Sequence, residues 1–172
     1  MKSIQSKVFT LGPLQTQVGV WKQYDEKVVF TNGVFDLIHR GHITYLEEAA
    51  RKGTKFVIGV NSDASVKTLA KGVARPIKDE ESRAIILAAM QFVDAVIIFD
   101  NTTPIHLIEA LIPKVLIKGG DYHPNESDAS SKKYIVGREV VLDNGGEVLV
   151  IPFLEGFSTT ALENKIIELN KS

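Results

Sequence analysis

The chain has 172 residues and a formal net charge of −1 at pH 7, and 44% of its residues are hydrophobic. That length suits one domain with a sizeable core, and the balanced charge gives no electrostatic case for nucleic-acid binding. The sequence contains no cysteine, which excludes disulfides, thiolate metal sites and a cysteine nucleophile and agrees with a cytoplasmic location. No apolar run approaches the roughly 20 residues of a membrane span, and the N-terminus lacks the apolar stretch of a signal peptide.

Short apolar runs alternate with amphipathic segments along the chain. In chain order, the pattern predicts a helix at 14–25, a strand at 27–32, a helix at 42–52, a strand at 55–60, helices at 63–69 and 79–92, a strand at 95–99, a helix at 104–111, a strand at 115–118, a helix or turn at 132–144, a strand at 147–151 and a helix at 158–170. This alternation predicts an α/β fold with a five-stranded parallel sheet, doubly wound and Rossmann-like.

Three unusual loops, 31–42, 118–131 and 152–160, each follow a predicted strand. Open parallel sheets bind ligands at the carboxyl ends of their strands, so these loops are expected to share one edge and form the site. The first loop begins with Asn32 and Gly33 at the end of its strand, where a glycine permits a tight turn.

The same loop ends in a His-x-Gly-His pattern formed by His39, Gly41 and His42. Two histidines three residues apart share one face at the start of a helix, and the glycine between them allows close approach. Imidazole N–H groups and the free N–H groups of a helix N-terminus together favour an anion, most naturally a phosphate chain. The pair is also compatible with a metal, although no third ligand is obvious nearby.

A second candidate motif, EGFSTT, places Gly156 before Ser158, Thr159 and Thr160 at the start of the last predicted helix. Hydroxyls and backbone N–H groups at such a position hold phosphates well. An isolated Ser-Thr-Thr is more often an ordinary helix N-cap. Both motifs follow strands, although more than a hundred residues separate them, and this favours a shared phosphate site.

The unit of strand, Asn-Gly, Phe-Asp and His-x-Gly-His resembles the nucleotidylyltransferases of the G-x-F-D-x-x-H-x-G-H type. In that family an oxygen of one substrate attacks the α-phosphate of a nucleoside triphosphate and pyrophosphate leaves, with no covalent enzyme intermediate. The resemblance implies that His39 and His42 stabilise charge on the phosphoryl group in the transition state and that the EGFSTT segment holds the β- and γ-phosphates. Mg²⁺ is expected as the counter-ion of the triphosphate, held largely by phosphates and water.

Basic residues complete the predicted site. The resemblance assigns phosphate contacts to Lys71 and Arg83, which makes them catalytic candidates beside the two histidines, with Arg75 a weaker candidate. The simpler interpretation is that each of these residues is an ordinary surface charge, and Arg83 could form an ion pair with a neighbouring acidic residue. The predicted nucleotide-binding residues are Asn32, Gly33, Val34, Phe35, Gly41, Lys118, Gly120, Asp121, Gly156, Ser158, Thr159 and Thr160. Gly119 and Gly120 are expected to let the base or ribose approach the backbone.

Six short stretches of the sequence indicate which members of this family the chain resembles most: FTNGVFDLIHRGH, VNSDASVK, KGVARPI, IKGGDY, NGGEVLVIP and EGFSTT. In this order they are similar to the adenylyltransferases that make ADP-heptose from D-glycero-β-D-manno-heptose 1-phosphate. The resemblance covers about 26–170, which implies a single nucleotidylyltransferase domain over 1–172 with an N-terminal helical extension at 1–25. It implies ATP and a sugar 1-phosphate as substrates, a role in lipopolysaccharide biosynthesis, and an enzyme without the sugar-kinase domain found in many relatives.

The nearest alternative is the glycerol-3-phosphate cytidylyltransferase family, which shares the histidine motif and the STT ending. That family has a threonine where this chain has Val34 and an arginine where it has Phe153, and both differences argue against it. An alternative of a different class is a nucleotide-binding sensor without catalysis. Relatives often form dimers or larger assemblies, so a homo-oligomer is an open alternative to a monomer.

Overall fold

The computed structural model of the chain describes residues 3–69 and 75–170. The strands, in chain order, are β1 Val8–Phe9, β2 Val28–Gly33, β3 Lys55–Asn61, β4 Ala95–Phe99, β5 Val115–Gly119 and β6 Glu147–Ile151. The helices are α1 Leu11–Gln23, α2 Arg40–Ala50, α3 Asp63–Thr68, α4 Glu80–Ala88, α5 Ile105–Leu111, α6 Arg138–Asp143 and α7 Thr159–Leu169, and a 3₁₀ turn at Ile4–Lys7 precedes β1. None of the helices in these ranges is long and apolar enough to cross a membrane.

The six strands form one parallel sheet in the order β1-β4-β3-β2-β5-β6. The sequence predicts five strands, whereas the described residues form six, and the additional strand is β1. β1 has only two residues, Val8 and Phe9, so it offers no alternation of apolar and polar residues to detect. It is a strand because it pairs with Val96 and Ile97 of β4, a contact more than eighty residues away in the chain.

Helices cover both faces of the sheet, and the predicted doubly wound α/β fold is confirmed. Successive residues of a strand point to opposite faces, so Val29 enters the core on one face while Val28 and Phe30 enter the core on the other. α2 and α4 pack on the first face, and α1, α5 and α6 pack on the second. Both faces of the central strands are therefore buried, as the continuous apolar runs indicate.

Three helices begin at side-chain caps that satisfy a free backbone N–H. The Ser62 hydroxyl caps α3, the Asp79 carboxylate caps α4, and the Ser158 hydroxyl accepts from the amide of Ala161 at 3.0 Å to cap α7. These caps fix where the chain turns from a loop into a helix. The site loops lie beyond the carboxyl ends of β2, β5 and β6, which are adjacent in the sheet.

Candidate active site

A cleft of about 760 Å³ lies at the carboxyl edge of the sheet. All three loops predicted to share this edge contribute to it. The lining residues are Asn32, Gly33, Val34, Phe35, Asp36, His42, Tyr45, Asn61, Val66, Leu69, Arg75, Thr102, Thr103, Pro104, Lys118, Gly119, Tyr122, Tyr134, Val136, Phe153, Thr159, Thr160 and Glu163.

Eight of the predicted site residues line this cleft: Asn32, Gly33, Val34, Phe35, His42, Lys118, Thr159 and Thr160. Others follow or flank these positions without lining it: His39, Gly41, Gly120, Asp121, Gly156 and Ser158. Lys71 lies outside the described residues, so its phosphate contact stays a prediction. The structure thus brings the histidine motif and the two threonines to one cavity.

The two histidines stack against each other at the start of α2. Their ring centroids are 4.0 Å apart, and the Nδ1 atoms of both rings are buried without a hydrogen-bond partner in the described part of the protein. A Cβ at Gly41 would lie 3.0 Å from His39 Cε1 and 3.1 Å from the Cβ of Phe157. The absence of a side chain at Gly41 therefore leaves room for the His39 ring and for the loop before α7.

Both imidazoles are held neutral by their surroundings. Burial, reinforced by the neighbouring His39, lowers the pKa of His42 to about 4. Burial also lowers the pKa of His39 below its ordinary value. Near pH 7 each ring therefore carries one N–H donor and one unprotonated nitrogen, which suits it to hydrogen-bond with phosphate oxygens.

Asp36, the aspartate of the Phe-Asp pair, anchors the segment that follows the undescribed residues 70–74. Its carboxylate accepts from Arg75 Nη1 at 2.8 Å and from the amides of Ile77 and Lys78, both at 2.9 Å. Burial alone would raise the pKa of Asp36, but the two amides and the guanidinium outweigh burial and hold the pKa below its usual range. The sequence alone gives no sign of this role for Asp36, because its partners are about forty residues away in the chain.

Arg83 does not line the cleft, contrary to the predicted phosphate contact. Its side chain is completely buried. Its Nη1 donates to the carbonyls of Val34 at 2.7 Å and Asn61 at 2.8 Å. Its Nε donates to the carbonyl of Lys78 at 3.0 Å, and its Nη2 pairs with Asp63 at 2.6 Å. These donors are committed to three backbone carbonyls and one carboxylate from segments that converge on the first turns of α4, so Arg83 holds these segments together beneath the site.

Lys118 and the strand ends beside it form the central floor. The Lys118 ammonium donates to the side-chain oxygen of Asn32 and lies 5.6 Å from the centroid of the Tyr122 ring. Behind it, the Thr31 hydroxyl is 2.6 Å from the Tyr45 hydroxyl and donates to the carbonyl of Ile117 at 2.9 Å. The polar groups under the cleft are thus satisfied within the fold, which holds β2 and β5 in register.

Phe153 covers the glycine pair that ends β5. A Cβ at Gly120 would lie 2.7 Å from the Phe153 ring, and a Cβ at Gly119 would clash with the same ring. The ring also meets Tyr45 edge-on, with centroids 5.8 Å apart, yet 53% of Phe153 is exposed. In this structure the glycines accommodate an aromatic ring, and that ring presents its remaining surface to the cleft.

No cluster of three or more histidine or acidic side chains that could hold a metal occurs in the ranges 3–69 and 75–170. The carboxylate of Asp36 is taken up by its three donors.

Residues 30–164 match the cytidylyltransferase-like family. Among curated proteins, the bifunctional protein HldE of Koribacter versatilis is 49% identical over 161 residues, covering 94% of this chain and 31% of that protein. Bifunctional protein HldE of Hydrogenovibrio crunogenus is 52% identical over 143 residues, covering 83% of this chain and 28% of that protein. The chain thus spans less than a third of the length of these relatives.

Two solved structures share the fold. The lipopolysaccharide core biosynthesis protein from Thermoplasma volcanium has a TM-score of 0.57 and 26% identity, covering 75% of this chain and 97% of that one. Pantoate-beta-alanine ligase from Francisella tularensis, complexed with beta-gamma ATP and beta-alanine, has a TM-score of 0.56 and covers 96% of this chain and 79% of that one. Its identity is only 13%, so this second likeness concerns the fold alone. The family match over most of the chain, together with a histidine motif opening on the cleft, confirms the predicted family relationship: the chain belongs to the cytidylyltransferase-like family.

Proposed function

We propose that this domain transfers AMP from ATP to a sugar 1-phosphate, D-glycero-β-D-manno-heptose 1-phosphate, forming ADP-heptose and pyrophosphate. The observation that carries the proposal is the pair of neutral, stacked imidazoles whose Nδ1 atoms have no hydrogen-bond partner among residues 3–69 and 75–170, with His42 opening on the same cleft as Thr159 and Thr160. The six sequence runs similar to ADP-heptose-forming adenylyltransferases, and curated relatives named bifunctional protein HldE, support the choice of substrates. A cytoplasmic location, where ATP is abundant, belongs to the same proposal.

In the proposed reaction a phosphate oxygen of the sugar 1-phosphate attacks the α-phosphorus of ATP. The new P–O bond forms as the bond from the α-phosphorus to the β-bridging oxygen breaks, and pyrophosphate leaves with that electron pair. His39 and His42 donate N–H groups to oxygens on which charge develops, and their fixed positions spare the reaction the reorganisation that water would need. No side chain forms a covalent bond to the substrate.

The pyrophosphate end of ATP is assigned to the N-terminus of α7. Thr159 and Thr160 line the cleft there, and the first amides of a helix favour anions. Lys118, on the floor of the cleft, supplies a further positive charge. Mg²⁺ would arrive with the triphosphate and neutralise part of its charge.

The adenine end is assigned to the aromatic side of the cleft, where Phe153 and Tyr122 flank the end of β5. The Phe153 ring is half-exposed and held in place by its packing on two glycines, so a base can stack on its free face. Stacking of a base on an aromatic side chain is worth about 1–3 kcal/mol. The larger purine covers more of such a platform than cytosine does. Phe153 thereby accounts for a preference for ATP in a family named for cytidylyl transfer.

The test is pyrophosphate release by the purified protein with Mg²⁺, given ATP or CTP, each with heptose 1-phosphate or glycerol 3-phosphate. Release with ATP and heptose 1-phosphate alone supports the proposal, and Phe153→Leu should then raise the Kd of ATP more than the Kd of CTP in binding measurements. Release with CTP and glycerol 3-phosphate would replace the proposal with the cytidylyltransferase alternative. Binding of MgATP without release in any pairing would point to a non-catalytic sensor or another acceptor.

A further inference from the structure

The helix that carries the phosphate-side hydroxyls is weakly anchored. α7 has eleven residues, and none of them is buried. Only Thr159 and Glu163, one turn apart on the same face, are even half-buried. A helix shorter than about 12–15 residues is marginal in water without packing, so the order of α7 depends on the few contacts that it makes.

One of those contacts is an ion pair between Glu163 and Arg75. Arg75 reaches Glu163 through Nη2 and the carboxylate of Asp36 through Nη1, the latter at 2.8 Å. The Arg75 side chain is 15% exposed and that of Asp36 is 2% exposed, so the Asp36 half of the bridge is shielded from solvent. The Glu163 side chain is 33% exposed, so its half of the bridge is partly shielded. All three residues line the cleft.

The anchor end of this bridge is rigid. Asp36 is held by the backbone amides of Ile77 and Lys78, and the Lys78 ammonium donates back to the Asp36 carbonyl at 2.6 Å. The guanidinium is planar, so a carboxylate at each of its two outer nitrogens fixes the direction as well as the distance of the bridge. The bridge therefore fixes the position of Glu163, and with it the first turn of α7, relative to the loop that follows β2.

We propose that Arg75 is a positioning residue for the transfer reaction: it couples Asp36 to Glu163 and so sets Thr159 and Thr160 across the cleft from His42. The proposal rests on the proposed function in one respect, that the two hydroxyls hold the pyrophosphate end of ATP. Arg75 acts through α7 and does not touch the reacting atoms. The alternative role is a direct contact between Arg75 and phosphate, in which the Glu163 carboxylate would compete with the phosphate for the guanidinium, and the experiments below separate the two roles.

The first experiment needs no substrate. Hydrogen–deuterium exchange of the full chain would be compared for the wild type, Glu163→Gln and Glu168→Gln. Glu168 is an exposed residue of the same helix, so its substitution removes the same charge without touching the bridge. The amides of α7 should exchange several-fold faster in Glu163→Gln and at the wild-type rate in Glu168→Gln. Wild-type exchange in Glu163→Gln would overturn the proposal.

The second experiment measures the kinetic constants for MgATP at saturating sugar phosphate. Glu163→Gln and Arg75→Lys should each raise KM about tenfold, the loss expected for one charge-assisted hydrogen bond, and leave kcat within about twofold. Because the bridge acts as a unit, the double variant should be no worse than the worse single variant. Glu168→Gln should match the wild type.

Three kinetic results would overturn the proposal. A lower KM in Glu163→Gln would mean that freed Arg75 binds phosphate itself. A fall in kcat at unchanged KM would mean a role in the chemical step, and equal changes in Glu163→Gln and Glu168→Gln would mean a general charge effect. If the wild type turns over none of the substrates, the proposed function fails, while the exchange experiment still decides whether Arg75 anchors α7.

Discussion

The two sides of the cleft are held in place in opposite ways. On the histidine side, α2 buries Tyr45, Leu46 and Ala49 against the sheet, and β2 lies between β3 and β5. On the hydroxyl side, α7 buries no residue and meets the body of the protein through Thr159, Glu163 and the loop around Phe157, whose ring lies 5.6 Å from the Arg40 guanidinium. One side is part of the core, and the other is attached to it by polar contacts.

This difference matches what each side is proposed to do. Groups that stabilise a transition state lose much of their effect when they move by about 1 Å, so they gain from being built on buried elements. Groups that bind the triphosphate must release pyrophosphate in every catalytic cycle, and a loosely attached helix can move away from the cleft without disturbing the core. Substitutions on the two sides should therefore differ in kind, with global effects on the first and local effects on the second.

The largest expected effect is on the buried side, from Arg83→Met. The substitution removes the charge and leaves Asp63 and three backbone carbonyls without their donor, which should lower the free energy of unfolding by about 3–5 kcal/mol. The control is Arg51→Met, whose side chain is 73% exposed in a helical pair with Glu47 and should change stability little. Urea unfolding measures both, and equal losses would show that the buried guanidinium does not hold the floor of the site.

Next in size is His42→Ala, which tests the reacting centre directly. If the ring acts in the transition state, kcat should fall about 10²–10³-fold while the Kd for MgATP changes little. His106→Ala, at a largely exposed position on α5, is the matched control and should behave as the wild type. Parallel losses of kcat and of MgATP affinity would assign His42 to binding instead.

A smaller effect should appear in the pH dependence of stability. The pKa of His42 is about 4 in the folded protein against an ordinary 6.5, so the unfolded chain takes up this proton first as the pH falls. The stability contributed by the neutral ring is present in full above pH 6.5 and is lost as the pH falls to about 4. Urea unfolding at several pH values should show a shallower slope in this window for His42→Gln, and an unchanged slope would contradict the assignment.

The smallest effect is expected at the cap of α7. Ser158→Ala should destabilise the helix locally by about 1 kcal/mol, because the amide of Ala161 loses its acceptor. Since α7 buries nothing, the global urea midpoint should stay unchanged while amide exchange in α7 becomes faster. Asp79→Ala removes the equivalent cap from α4, which packs on the core, and should lower the global midpoint. A lower global urea midpoint in both Ser158→Ala and Asp79→Ala would show that α7 and α4 are equally coupled to the core, which would contradict the proposed difference between the two sides of the cleft.

Much of this arrangement is predictable from local sequence patterns. β4 and β6 have the predicted bounds, β2 and β5 lie within one residue of them, and residues of both motifs line one cleft. These features follow from apolar runs, glycines and helix caps, each of which acts over a few neighbouring residues. The alternation of strands and helices then places the motifs on one edge of the sheet.

The remaining features depend on contacts between distant segments. Arg83 reads as a surface charge or a phosphate ligand, and only the meeting of Val34, Asn61 and Lys78 makes it a buried support. Arg75 bridges two carboxylates far away in the chain, and no local pattern predicts such a bridge. The sequence predicts that Gly119 and Gly120 at the end of β5 meet a ligand, whereas in this structure they meet a phenylalanine that follows β6.

The two-residue strand at the edge of the sheet has a consequence for solubility. β1 covers the outer side of β4, whose sequence AVIIF is apolar, rich in β-branched residues and free of charge and proline. An open edge with this composition readily pairs with a second chain. Residues 3–10 do not line the cleft, so removing residues 1–10 should leave the cleft in place and yet promote aggregation, as light scattering on warming would reveal. We therefore expect this segment to limit self-association of the protein.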